Sequence, residues 1–110
     1  MDGNQPEIVK AFRALGCTVA HTHRLGQGFP DICVGYGGLS MLIEIKDGSK
    51  PKSAQELTDD EREFQGRWTG GVRMVRNLDD VSETVSTLRR WHAAITRASC
   101  EQIAQEIEKR

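Results

Sequence analysis

Asp31, Glu44 and Lys46 are the residues whose types and spacing could do chemistry together. Two carboxylates and an ammonium on one surface suit a hard divalent cation and a phosphodiester. The carboxylates hold the ion, and the ammonium orients water or offsets charge developing on phosphorus. A hairpin would bring them together. DICVGY and LSMLIEIK are strand-like runs separated only by Gly37 and Gly38, the pair that a two-residue turn with positive φ tolerates best. Such a turn pairs Tyr36 with Leu39, Cys33 with Leu42 and Asp31 with Glu44. Directly opposed β-carbons lie about 5 Å apart, so two like charges there call for a cation or a proton. Oxygen ligands with positions left open suit Mg²⁺ or Mn²⁺. Lys46 projects to the same side as Glu44, because side chains alternate along a strand. Ile32, Val34, Tyr36, Leu39, Met41, Ile43 and Ile45 share the other side, an apolar face that fixes the register. Without that register, Glu-x-Lys is a common pattern of ordinary solvated residues.

The flanking elements must hold this hairpin in place. Asn4 as N-cap, Pro6 in the first turn, and Ile8, Val9, Phe12 and Leu15 before Gly16 predict a helix over about residues 5–15. CTVAHTH, residues 17–23, reads as a strand, and the glycine-bearing loop RLGQGF then delivers the chain to Pro30 and Asp31. DGSKPKSAQEL is a loop. Thr58 and Glu61 have capping-box spacing for a helix that reaches about Trp68 and stops at Gly70 and Gly71. VRMVR, residues 72–76, is a short strand, and Asp79 or Asp80 caps a helix carrying Val81, Val85, Leu88 and Ile95 on one face. Ser99 and Gln102 repeat the capping spacing, which predicts a separate last helix with Ile103 and Ile107. Helix, three strands, helix, strand and closing helices read as an α/β fold with a mixed sheet covered by helices.

With 110 residues, 37% of them hydrophobic and 28% charged, the chain reads as one folded domain. A net charge of -1 argues against a DNA-coating protein but leaves room for a local phosphate-binding patch. Arg24, Lys50, Lys52, Arg62 and Arg67 flank the motif and could form one, although each alone reads as solvated. Aromatic content of 5% argues against an aromatic-rich single-strand binder, so Trp68 and Trp91 read as core or interface anchors. His21 and His23 share a strand face, but no third ligand for zinc or copper is evident. Cys17, Cys33 and Cys100 are widely spaced, which predicts reduced, structural thiols. The start MDGNQPE lacks a signal-peptide pattern and no apolar run suits a membrane span, so a cytoplasmic location is expected.

GFPDICVG followed by EIKDGSKP resembles the PD-(D/E)xK nuclease superfamily, written here as Pro30-Asp31, twelve residues, then Glu44-Ile45-Lys46. More closely, the chain resembles the short stand-alone VRR-NUC-type proteins of phages and bacteria. The resemblance runs from about Gln5 to Val81, through EIVKAFRALG, HRLGQGFPDICVGYGG, MLIEIKDGSKPKSAQELT, DDEREFQGRW and VRMV. It implies a restriction-endonuclease-like α-β-β-β-α-β core in residues 1–91, with 92–110 a C-terminal helical extension of the same domain. The implied activity is metal-dependent hydrolysis of DNA phosphodiesters by a structure-selective endonuclease, a homodimer acting on branched or Holliday-junction DNA. The implied cofactor is Mg²⁺ or Mn²⁺, with no small-molecule cofactor.

By the same resemblance Asp31 and Glu44 bind the ion, the Ile45 carbonyl is a further ligand, and Lys46 assists catalysis. An acidic residue on the first helix often completes such sites, and Glu7 is the candidate, although the helix dipole alone also favours a carboxylate there. The chain departs from the pattern in two places. Relatives often carry glutamine and histidine on the helix after the lysine, where this chain has Arg62 and Gln65; Gln65 either reaches water or phosphate or is solvated. Val75-Arg76-Asn77 keeps only part of the Val-Arg-Arg-like motif. The alternatives are a nucleic-acid-binding module with this fold and no turnover, and an assembly protein acting through its C-terminal helices.

Overall fold

Alternating apolar residues and the Gly37-Gly38 turn build the centre of the fold. In the computed structural model, which describes residues 3–109, β2 (Ile32–Tyr36) and β3 (Leu39–Ile45) form the expected hairpin. Met1, Asp2 and Arg110, at the ends of the expected domain bounds, lie outside the described residues. Gly37 and Gly38 take φ of 54° and 84°, the positive values this turn needs. Ile32 pairs with Ile43, Cys33 with Leu42 and Tyr36 with Leu39, the register expected from the sequence. β1 (Thr18–His21) adds antiparallel to β2, and β4 (Val72–Val75) adds parallel to β3. The result is a four-stranded mixed sheet in the order β1-β2-β3-β4.

α1 (Gln5–Ala14) and α3 (Leu78–Glu108) bury the inner side of that sheet. Ile8, Val9 and Phe12 of α1 and Val81, Val85 and Leu88 of α3 close over Ile32, Val34, Met41, Ile43, Ile45 and Val75. Each such side chain stabilises the fold by about 1.5–3 kcal/mol through its removal from water. Tyr36 and Leu39, at the turn end, are only partly buried against this core. α2 (Asp59–Arg67) begins with the predicted capping box, Thr58 and Glu61 each bonding the other's backbone N–H.

Several expectations are corrected. Asn4 is the N-cap residue of α1, as expected, but its side chain makes no cap bond; its amide donates instead to the Lys46 and Arg76 carbonyls at 3.1 and 3.2 Å, tying the ends of β3 and β4 together. The first strand is shorter than 17–23, because the Thr22 and His23 N–H groups both turn to the Asp31 carbonyl and His23–Leu25 coils into a 3₁₀ turn. Asn77 caps α3, accepting from the Asp80 N–H at 2.9 Å, while the Asp80 carboxylate accepts from the Arg76 N–H. The separate last helix around Ser99 is absent: α3 runs unbroken for 31 residues. No Gly or Pro interrupts residues 78–108, and a capping residue must leave helical geometry, which nothing forces Ser99 to do. Trp68 and Trp91 are 43% and 45% exposed, so neither is a core residue. No helix among the described residues is long and apolar enough to cross a membrane.

Candidate active site

Asp31 stands one residue before β2, where antiparallel pairing with β3 runs out. Its Oδ2 accepts the Ile45 N–H at 2.7 Å, so a side chain continues the ladder that the backbone has left. Its own carbonyl accepts from Thr22 and His23 at 2.9 and 3.1 Å, fixing the residue from the other strand. The loop that delivers it is pinned to α2. Phe29 lies 4.9 Å from the Phe64 ring, Phe64 stacks on Trp68 at 5.3 Å, and a β-carbon on Gly28 would collide with the Asp60 backbone. Gly28 also has φ of 79°, so it is the one glycine of this loop required on both counts.

Glu44 and Lys46 point away from the apolar core, yet they too are buried, at 3% and 9% exposure. Glu61 on α2 meets them. Lys46 Nζ lies 2.8 Å from Glu61 Oε1 and 3.8 Å from Glu44 Oε1, an ammonium bridging two carboxylates. Glu61 Oε1 also accepts the Thr58 N–H at 2.8 Å, so the capping box fixes the very oxygen that holds Lys46. This role of Glu61 is absent from the sequence-based assignment.

The electrostatics are uneven. Burial, the hydrogen bond shared with Glu61 and the nearby Asp31 charge push the Glu44 carboxyl up to about 10. Burial alone would raise Glu61 as well, but hydrogen bonds from Glu44, Lys46 and the Thr58 backbone outweigh it and hold Glu61 at about 2. The upward shift favours the neutral form of Glu44 in the absence of a cation, and Glu44 Oε2 is buried without a hydrogen-bond partner. An unsatisfied buried polar atom costs about 1–3 kcal/mol. A divalent cation at this oxygen would replace the proton and end that deficit, so the donor set fits such an ion. No group of three or more metal-binding His, Cys, Asp or Glu side chains occurs among the described residues. Asp31 and Glu44 would therefore share the ion with backbone oxygen, including the Ile45 carbonyl, and with water or phosphate, as Mg²⁺ commonly does.

Other candidates are placed differently. Glu7 is exposed and lines a separate concavity of about 520 Å³ with Asp47, Ser49, Arg76 and Asn77. The inward stripe of α1 runs through Gln5, Ile8, Val9 and Phe12, and helical spacing turns Glu7 away from it. Gln5 is the polar residue α1 buries: its Nε2 lies 3.5 Å from His21 Nδ1, and its Oε1 has no partner. His21 and His23 approach edge to face at 6.5 Å between ring centroids. Gln65, one turn after Glu61, keeps a buried side-chain nitrogen without a partner. Arg62 is exposed, 3.6 Å from Asp59. Lys52 and Arg62, with Arg76, line a groove of about 470 Å³, whereas Arg24, Lys50 and Arg67 are exposed outside it. Arg76 thus joins the basic set only in three dimensions. The chain matches no family model, no curated protein and no solved structure.

Proposed function

We propose that this protein is a metal-dependent DNA endonuclease that hydrolyses phosphodiester bonds, built on a restriction-endonuclease-like core and selective for branched DNA. The observation that carries the reading is Glu44 Oε2, buried without a partner beside Asp31 and Lys46. A carboxylate so placed costs stability and makes sense as a cation ligand. Support also comes from the element order and from the hairpin register, whose Ile32–Ile43 pair leaves Asp31 and Glu44 as the next residues on either strand. Mg²⁺ or Mn²⁺, when bound, neutralises phosphate charge and makes water a better nucleophile.

The chain's own groups do the rest. Asp31 and Glu44 hold the ion, and the Ile45 N–H keeps the Asp31 carboxylate oriented. Lys46, steadied by Glu61, presents an ammonium to the attacking water or to a phosphate oxygen. Lys52, Arg62 and Arg76 bind the flanking backbone phosphates in their groove. Branch selectivity follows from the family resemblance alone. A second reading, a nucleic-acid-binding module without turnover, is favoured by one observation: Glu61 already engages the Lys46 ammonium at 2.8 Å.

One assay separates them. Purified protein and a Lys46→Ala variant are incubated with labelled duplex, flap and four-way junction DNA in Mg²⁺, Mn²⁺ or EDTA. Metal-dependent cutting by the wild type alone, strongest on the junction or flap, is the expected result. Binding by both proteins with no cutting under any metal transfers the assignment to the binding module.

A further inference from the structure

β4 is the last strand of the sheet, and its free edge lies between two concavities. Arg73 and Met74 project to opposite sides of it, because side chains alternate along a strand. Met74 pairs with Glu44 across β3 and lines the groove that holds Lys52, Arg62 and Arg76. Arg73 turns toward α3, into a cavity of about 560 Å³ that Met74 also borders. The Gly71 and Val75 carbonyls bond β3, so by alternation the Met74 N–H faces the free edge, where the groove and the cavity adjoin.

Two arginines meet in that cavity. Thr87 Oγ1, on α3, donates to the Glu83 carbonyl at 3.0 Å and accepts from Arg73 Nη1 at 3.3 Å and Arg90 Nη2 at 3.2 Å. Arg90 Nη1 donates to Ser86 Oγ at 3.3 Å. The two donor nitrogens on Thr87 therefore lie within about 6.5 Å of each other, and like charges so close repel. Neither guanidinium enters an ion pair among the described residues. Asp80 and Glu83 border the cavity as well. Asp80 Oδ2 is held by the Arg76 N–H at 2.9 Å, whereas Glu83 stands exposed on α3.

We propose that this cavity binds a backbone phosphate of the DNA strand leaving the candidate active site. The strand crosses the β4 edge at Met74, from the groove of Lys52, Arg62 and Arg76 to Arg73 and Arg90. The identity of the strand rests on the nuclease reading, while the phosphate chemistry rests on the cavity itself. Planar guanidinium forks match pairs of phosphate oxygens, and the Ser82 and Ser86 hydroxyls and the Met74 N–H add neutral donors. Cations repeated through two adjoining concavities suit an anion that itself repeats, as a strand does and a lone phosphate or carboxylate does not. Glu83 opposes the phosphate, so its charge restrains affinity and its removal should release it.

Fluorescence anisotropy of a labelled flap DNA in EDTA reads binding apart from metal-dependent cutting. Arg73→Gln and Arg90→Gln should each weaken binding about tenfold, as loss of a charge-assisted hydrogen bond does. Together they should lower the slope of log affinity against log salt by about one for the phosphate lost. Arg90 is exposed, so its variant reports on the site even where Arg73→Gln disturbs the fold. Arg13→Gln makes the same charge change on α1 and should leave affinity and slope nearly as they were. Glu83→Gln should tighten binding severalfold, which arginines that merely brace α3 would not produce. A wild type without affinity for the DNA, arginine variants that bind like the wild type, or an equal loss in Arg13→Gln overturns the proposal. So does calorimetric binding of inorganic phosphate that the arginine changes abolish while DNA affinity persists, since the cavity would then take a free anion. Arginine-dependent binding without cutting under any metal supports this site and removes the nuclease reading; cutting with indifferent arginine variants does the opposite.

Discussion

The β2–β3 hairpin buries side chains on both of its sides, with different contents. Toward α1 and α3 it buries Ile32, Val34, Met41, Ile43 and Ile45, all at 2% exposure or less. Toward α2 it buries Glu44 and Lys46 beside a single large apolar residue, Leu42. Burial of the first set is favourable by area alone. Burial of the second removes charges from water, and one oxygen goes without any partner in return. A stretch of chain selected for stability alone would not place both sets on one hairpin. The inner side specifies the register, and the outer side uses that register to hold groups in an unfavourable arrangement.

Replacing one residue on each side should separate the two roles. Glu44→Gln keeps the shape and removes the ionisable group. Cleavage should fall by about 10³-fold, the scale on which losing a transition-state stabiliser acts, while the melting temperature in EDTA stays level or rises. A variant that cuts normally, or one that unfolds, would mean the outer side is structural like the inner one. Ile43→Ala should do the reverse. Denaturant titration should show a loss of about 2–5 kcal/mol, and the fraction still folded should cut at nearly the wild-type rate.

The contrast also predicts a pH dependence. Glu44 is raised from its ordinary 4.5 to about 10, so between those values the folded protein keeps a proton that the unfolded chain has released. Stability without metal should therefore decline as pH rises through that window. Glu61, held at about 2, acts in the opposite sense below 4.5, where its contribution is lost as pH falls. Glu44→Gln should remove the alkaline decline and leave the acid limb. Mg²⁺ should raise the wild-type melting temperature more at high pH than at low, since the ion displaces the Glu44 proton. Equal stabilisation across the range would place the ion elsewhere.

What the sequence revealed follows the same division. The hairpin was legible because alternation and a glycine pair are local signals that burial then enforces. The contact between Glu61 and Lys46 was not, since capping spacing already gives Glu61 a complete local explanation and its second partner comes from tertiary packing. Glu7 carries the charge that suits a metal site, but α1 buries the stripe that runs through Gln5 and leaves Glu7 exposed. The Ser99-Gln102 spacing resembled a helix start because a cap motif carries no sign of whether the preceding residues stop being helical. Arg76 joins Lys52 and Arg62 only through the fold, so composition could not group them.

Thr58→Ala is the mildest test. It deletes the hydroxyl that accepts the Glu61 N–H at 3.2 Å, yet leaves the Thr58 N–H that binds the Glu61 carboxylate. Loss of an N-cap should cost about 1 kcal/mol in a denaturant titration. Because Glu61 Oε1 retains both Lys46 and the residue-58 backbone, cleavage should change by less than about tenfold, well short of the loss in Glu44→Gln. A collapse of activity at so small a cost in stability would show that the start of α2 must be rigid for Lys46 to act. The outer side of the hairpin would then depend on the order of its covering helix as strictly as the inner side depends on packing.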